Sequence, residues 1–192
     1  MNNNEKSNGK EKLKEKLCRE CEIAWATKGY KKTSITYLTS KVGISTGHFY
    51  LLYDNKEQLF SETLRGLQSQ LKLELEKILS ENPNKTGFVA ALKWLYREYS
   101  KRRYLYDFIS DDFQAFINKL SPEEMASLKL DSIEYSEYII EKTDLVYKVG
   151  KQLVFDTIQA LLYTVSIQDS ILENKIRTFD FIIEAVIPKL FE

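Results

Sequence analysis

The chain has 192 residues, with 28 Lys and Arg balanced by 28 Asp and Glu, and a single histidine. Apolar residues make up 43% of it, enough for a packed core, yet no apolar run approaches the roughly 20 residues that span a bilayer. One histidine, no glycine-rich phosphate loop and no HExxH supply no catalytic set, so a non-enzyme with no metal and no cofactor is expected.

Residues 1–9 are Asn-rich and polar and read as a disordered tail without the apolar core of a signal peptide, which fits a cytoplasmic protein. From Lys10 the apolar positions Leu13, Leu17, Cys21, Ala24 and Trp25 recur at helical spacing. Gly29 suits the left-handed residue that ends such a helix, and Tyr30 then folds back toward the core. Thr33 and Ser34 are N-cap types for a second helix whose inner face is Ile35, Leu38 and Val42. Gly43 makes a turn, Ser45 caps a third helix, and Phe49 anchors it. Asn55 and Gln58 have capping-box spacing and open a long fourth helix through Leu79.

ENPNKTG (81–87) is a break. Helices then follow over about Phe88–Lys101 and Arg103–Asn118, and Ser121-Pro122-Glu123-Glu124 starts another. The last two segments, about Asp144–Gln168 and Leu172–Phe191, are the most apolar. No segment alternates with period two, so the expected class is all-α with about nine helices. Residues 1–60 carry 11 Lys and Arg against 7 Asp and Glu, and the remainder is negative by the same difference. A basic head on an acidic body is the asymmetry expected when one end meets phosphate.

Helix, glycine turn, short helix and capped long helix make a helix-turn-helix between Gly29 and Leu59. With Leu17, Cys21 and Trp25, the motifs Gly29-Tyr30, Thr33-Ser34-Ile35, Val42-Gly43-Ile44-Ser45, Gly47, Phe49-Tyr50 and Lys56-Glu57-Gln58-Leu59 resemble the DNA-binding head of the TetR/AcrR family. The resemblance covers about a quarter of the chain. It implies a three-helix head over 10–55 and a helical bundle over 56–192 for ligand binding and dimerisation. Trp25 stands where that family usually has phenylalanine.

Thr33 and Ser34 sit at a helix N-terminus, where a hydroxyl caps and free N–H groups favour a phosphate oxygen. Ser45, Thr46, Gly47 and His48 form the leading turn of the recognition helix. Thr46 and His48 point away from the Phe49 face and are the candidates for base contacts. Gly47 is either an aid to close approach or an ordinary glycine near a helix start. Tyr50 and Lys56 resemble the family's phosphate-binding tyrosine and lysine; by pattern alone Tyr50 fits equally well as a packed ring. Leu51 and Leu52 depart from the polar or aromatic residues frequent there, which argues against base contacts from them. The tail lysines 6, 10, 12, 14 and 16 alternate with Glu5, Glu11 and Glu15 and read as a solvated segment. Cys18 and Cys21 form a CxxC with neither a βαβ pattern nor further ligands beside it.

In the body, Trp94, Tyr99, Phe108, Phe113 and Tyr138 are the candidate lining of a chamber for a small hydrophobic or aromatic effector, as the resemblance implies. Leu153, Ile158, Leu161, Leu162, Val165, Phe179, Ile183 and Val186 are the candidate interface of a homodimer, because apolar residues on the last two helices exceed one stripe. The expected function is a DNA-binding transcriptional regulator, a repressor released by effector, on a palindromic operator in double-stranded DNA. The alternative is a non-catalytic helical interaction protein that keeps the helix-turn-helix as scaffold.

Overall fold

The computed structural model describes residues 3–128, 132–168 and 170–192. Among them lie eleven α-helices: α1 (Asn3–Lys28), α2 (Ile35–Val42), α3 (Thr46–Phe49), α4 (Lys56–Glu81), α5 (Lys85–Lys101), α6 (Arg103–Tyr106), α7 (Asp111–Ile117), α8 (Pro122–Ser127), α9 (Ser132–Glu141), α10 (Lys151–Tyr163) and α11 (Lys175–Leu190). A 3₁₀ turn spans Thr164–Ser166, and the only β pairing described is an isolated bridge between Tyr147 and Phe191. Among the described residues no helix is long and apolar enough to cross a membrane.

The chain divides into two compact units, Met1–Gln68 with Phe108–Leu128 and Ser69–Asp107 with Lys129–Glu192. These compact units interleave along the chain, each built from two stretches. Aromatic packing is the reason. Trp25, fully buried on α1, meets Phe60 of α4 at 4.7 Å between ring centroids and Phe116 of α7 at 5.0 Å. Phe113 stacks on the same indole at 6.1 Å. Helix α7 thus completes the core of the first unit from more than 80 residues downstream.

Local chemistry sets the ends of the helices. Gly29 has φ 81° and donates its N–H to Trp25 O at 3.0 Å, closing α1. Gly43 has φ 77° and closes α2 through its N–H to Thr39 O at 2.9 Å. Ser34 and Ser45 cap α2 and α3 by accepting from the N–H groups of Tyr37 and His48, each at 3.1 Å. Asn55 accepts from Gln58 N at 2.8 Å, while the Gln58 side chain accepts from Asp54 N rather than completing the box at Asn55. Ser121 and Glu124 make a complete capping box at α8.

Three expectations change. Helix α1 starts at Asn3, through the stretch read as a disordered tail. The helix expected over about Arg103–Asn118 is two, because Ser110 accepts from Phe113 N and starts α7 afresh with Asp111 and Asp112 in its first turn. Helix α10 begins only at Lys151; ahead of it Lys148 N donates to Leu190 O at 2.9 Å and Glu192 N to Val146 O at 2.8 Å, holding that strand-like stretch beside the chain end.

In the second unit α5 packs on α11. Tyr96 stacks on Phe179 at 4.0 Å, its hydroxyl lies 3.0 Å from that of Thr164, and Arg97 forks onto Asp180 at 2.6 and 3.2 Å. This packing moves four of the expected dimer residues inside. Ile158, Val165, Phe179 and Ile183 are buried within their own chain. Leu161, Leu162 and Val186 are half-buried, and Leu153 remains 55% exposed. Phe181, which the periodicity did not single out, is 75% exposed.

The two left-handed glycines differ in surroundings. A Cβ on Gly43 meets open space, whereas one on Gly29 falls 2.6 Å from a carboxylate oxygen of Asp112. Gly43→Ala should cost about 1 kcal/mol of backbone strain. Gly29→Ala should cost ~3 kcal/mol, because it also displaces a carboxylate that accepts two backbone N–H groups. Urea unfolding of the two variants measures the difference.

Candidate nucleic-acid interface

The turn joining α1 to α2 is fixed from three sides at Tyr30. Asp112 accepts from Tyr30 N at 2.6 Å and from Lys31 N at 3.0 Å. Lys56 donates to Tyr30 O at 2.5 Å, and the Tyr30 hydroxyl donates to Glu57. The ring packs edge-on against Phe60 at 5.1 Å. Burial, followed by the bond to Glu57, pushes the Tyr30 phenol well above its ordinary pKa, so it stays a donor.

That anchoring decides which candidates face outward. The Thr33 side chain is buried and gives its hydroxyl to Gly29 O at 2.7 Å, leaving Ser34 as the exposed cap of α2. The first N–H groups of α2 have no partner within the helix, which by geometry favours an anion there. Exposed Lys31 and Lys32 lie just before it, and Lys28 sits over the Tyr37 ring at 3.6 Å with Lys41 at 5.6 Å. These four lysines and Tyr37 escaped the sequence reading, although Tyr37 and Lys41 share a helix face at i,i+4.

The Lys56 amine, to which the resemblance gives a phosphate, already has partners within the head. It points inward to Tyr30 O and lies over the rings of Tyr30 at 3.8 Å and Phe60 at 5.0 Å. Burial lowers its pKa. Its side chain is thereby engaged with the head's own packing.

The recognition turn itself is open. Ser45, Thr46, Gly47 and His48 are all exposed while Phe49 is fully buried between them and Tyr53. Tyr50 is 53% exposed and Leu51 72% exposed. Gly47 has an ordinary backbone conformation, and a Cβ there would meet only Ser45 Oγ at 3.8 Å. Nothing inside the fold requires glycine at that position.

The remaining candidates are dispersed. Phe108 and Phe113 pair at 5.0 Å in the first unit. Trp94, Tyr99 and Tyr138 belong to the second, where Tyr99 stacks on Tyr106 at 4.3 Å and the Tyr138 hydroxyl donates to Glu76. A concavity of 430 Å³ in the second unit is lined by Ser100, Arg103, Val165, Glu173 and the start of α11, without any of these five aromatics. Cys18 lies 3.7 Å from the Tyr53 hydroxyl and Cys21 is fully buried; burial pushes both thiols up.

Residues 23–63 match the model of the bacterial regulatory proteins of the tetR family. This is a TetR-family head. The fold of nearly the whole chain is similar to that of solved structures. A TetR-family transcriptional regulator from Pectobacterium atrosepticum is similar with a TM-score of 0.67 and 16% identity, covering 96% of both chains. The transcriptional regulator FadR from Bacillus subtilis, in complex with stearoyl-CoA, is similar at 0.66 and 13%, covering 90% of this chain and 96% of its own. A protein described as superantigen PfiT is similar at 0.69 and 14%, covering 94% and 96%. No curated protein matches the sequence.

Gly47 separates packing from recognition in this TetR-family head. Gly47→Ala should leave the fold intact or stabilise it by up to ~1 kcal/mol, since alanine is the better helix former. It should nevertheless weaken duplex binding at least several-fold if the backbone approaches the groove there. Thermal unfolding and fluorescence anisotropy on the same preparation check both.

Proposed function

We propose that this chain is a sequence-specific DNA-binding transcriptional regulator, a repressor that holds a palindromic operator as a homodimer and leaves it when a small effector binds. The observation that carries the reading is the recognition turn. Its residues 45–48, 50 and 51 face solvent, capped by Ser45 and held by buried Phe49, within a head of TetR-family sequence. Short side chains at Ser45, Thr46 and Gly47 let such a helix enter the major groove, with Thr46 and His48 in reach of base edges. Ser34 and the lysines around α2 supply sequence-independent phosphate contacts.

Dimerisation uses the outer faces of α10 and α11. Leu153 and Phe181 are the exposed apolar anchors, with Leu161, Leu162 and Val186 half-buried beside them. Two-fold symmetry then presents two recognition turns to half-sites roughly 34–36 Å apart. The effector is small and apolar or aromatic; FadR, of similar fold, was solved with stearoyl-CoA. Effector binding in the second unit and DNA binding in the first are coupled through α4, which belongs to both. The protein acts in the cytoplasm, where its DNA is, and catalyses no reaction.

The superantigen PfiT has a similar fold, so fold alone does not fix function and duplex binding decides between a regulator and a helical interaction protein. In anisotropy with the region upstream of its own gene, the chain should bind a duplex with a steep salt dependence. His48→Ala should cost ~1–3 kcal/mol and relax one base position. Equal loss on every sequence would remove His48 as a reader, and no binding to any duplex would leave the interaction-protein reading.

Light scattering should give a dimer for the wild type. Phe181→Glu should shift it to monomer and, by breaking bivalent engagement, weaken operator binding at least tenfold. A dimer that survives both Phe181→Glu and Leu153→Glu would place the interface elsewhere.

A further inference from the structure

The centre of the recognition face is apolar. Backbone hydrogen bonds continue the winding of α3 past its last residue: Tyr50 N to Thr46 O at 3.4 Å, Leu51 N to His48 O at 3.2 Å, Leu52 N to Phe49 O at 2.8 Å and Tyr53 N to Phe49 O at 3.0 Å. The bonds mix i−4 and i−3 spacing, about 100–120° between successive residues, so Gly47 and Leu51, four residues apart, both fall on the side away from buried Phe49. His48 and Tyr50 flank that side, with exposed Thr46 and half-buried Leu52 next around the turn. Gly47 leaves that side low at its start, so Leu51 is the apolar side chain that projects furthest from it, 72% exposed.

The fold gains little from a leucine there. Its neighbour Leu52 is half-buried and Tyr53 fully so, and these already close the turn onto Phe49, whose ring lies 5.5 Å from that of Tyr53. Leucine carries no donor or acceptor for a phosphate or for a polar base edge, so the sequence argument against base contacts from Leu51 holds for hydrogen bonds and leaves only an apolar contact. In the major groove one apolar feature is sequence-specific, the C5-methyl group of thymine.

We propose that Leu51 is a specificity-determining residue that reads thymine through that methyl group, while Gly47 lets the turn come close enough for the contact. The proposal rests on the DNA-binding reading above and adds to it the identity of one base. Leu51 thereby joins His48 in setting the operator sequence: one reads by hydrogen bonding, the other by shape and apolar contact.

The test uses the full chain and a duplex that the wild type itself selects from a randomised pool. Each thymine of that duplex is replaced in turn by deoxyuridine, which removes the methyl group and keeps the pairing. Binding is read by anisotropy for wild type and for Leu51→Ala, whose unfolding midpoint should match the wild type. At one thymine per half-site, deoxyuridine should weaken the wild type about fourfold, the loss of one buried methyl. Leu51→Ala should bind the thymine duplex weaker by a similar factor and be indifferent to deoxyuridine at that position alone. A selected duplex with no sensitive thymine, or the same penalty in both proteins, overturns the proposal and leaves DNA recognition standing. A pool from which no sequence is enriched overturns the DNA-binding reading, and this inference with it.

Discussion

Everything outward-facing in the head depends on how the chain turns at Tyr30. Its N–H goes to Asp112, its carbonyl takes the Lys56 amine, its hydroxyl goes to Glu57, and its ring packs on Phe60. Few residues in a connecting turn have every polar group committed in this way. The consequence is directional. Immediately after Tyr30 come Lys31 and Lys32, then the capped start of α2, so fixing Tyr30 fixes where those cations and N–H groups point. The left-handed conformation of Gly29 is the other half of the constraint, because only a residue without Cβ leaves room for the Asp112 carboxylate.

Asp112 lies more than 80 residues from the turn it holds, so the head is not a purely local structure. Helix α7 returns to bring Asp112 to the turn and Phe113 and Phe116 to the Trp25 ring. The ring cluster offsets the entropy of closing that long loop, which rises only slowly with its length. Trp25 carries a cost of its own: its Nε1–H is buried without a hydrogen-bond partner among the described residues. A phenylalanine would avoid that orphan donor but fill less of the space between α4 and α7. The indole is retained, on this view, for its area against three rings rather than for any polar contact.

Period and capping chemistry made the head legible in the sequence. Leu17, Cys21, Ala24 and Trp25 at helical spacing, Gly29 and Gly43 as left-handed stops, and Ser45 as a cap are all where the pattern put them. What pattern cannot show is the partner of a long side chain. The resemblance gives the Lys56 amine a phosphate and no hint of the Tyr30 O to which it donates here. Asp112, beside Asp111 in the first turn of α7, has nothing in its spacing to mark it out, yet it accepts two backbone N–H groups. In the body, apolar density marked α10 and α11 as more than half-buried but could not say which stripe a single chain already covers. Phe179 and Ile183 go inward, and Phe181 between them goes out.

The comparison structures make the same division in another way. Identity is only 13–16% while the fold is retained over nearly the whole chain. A helical core needs apolar volume at the right period, and many sequences supply it. The head is held by spacing: a left-handed glycine, a cap and a buried ring must each occupy one place for the recognition turn to stand clear of the protein. The family match accordingly falls on residues 23–63, the stretch where those demands are densest. Within that stretch the outward positions are the ones the fold does not dictate. Gly47, His48 and Leu51 are exposed rather than part of the core, so their identities are free to be set by what they meet outside. The informative residues of this chain are therefore those whose side chains the interior does not explain.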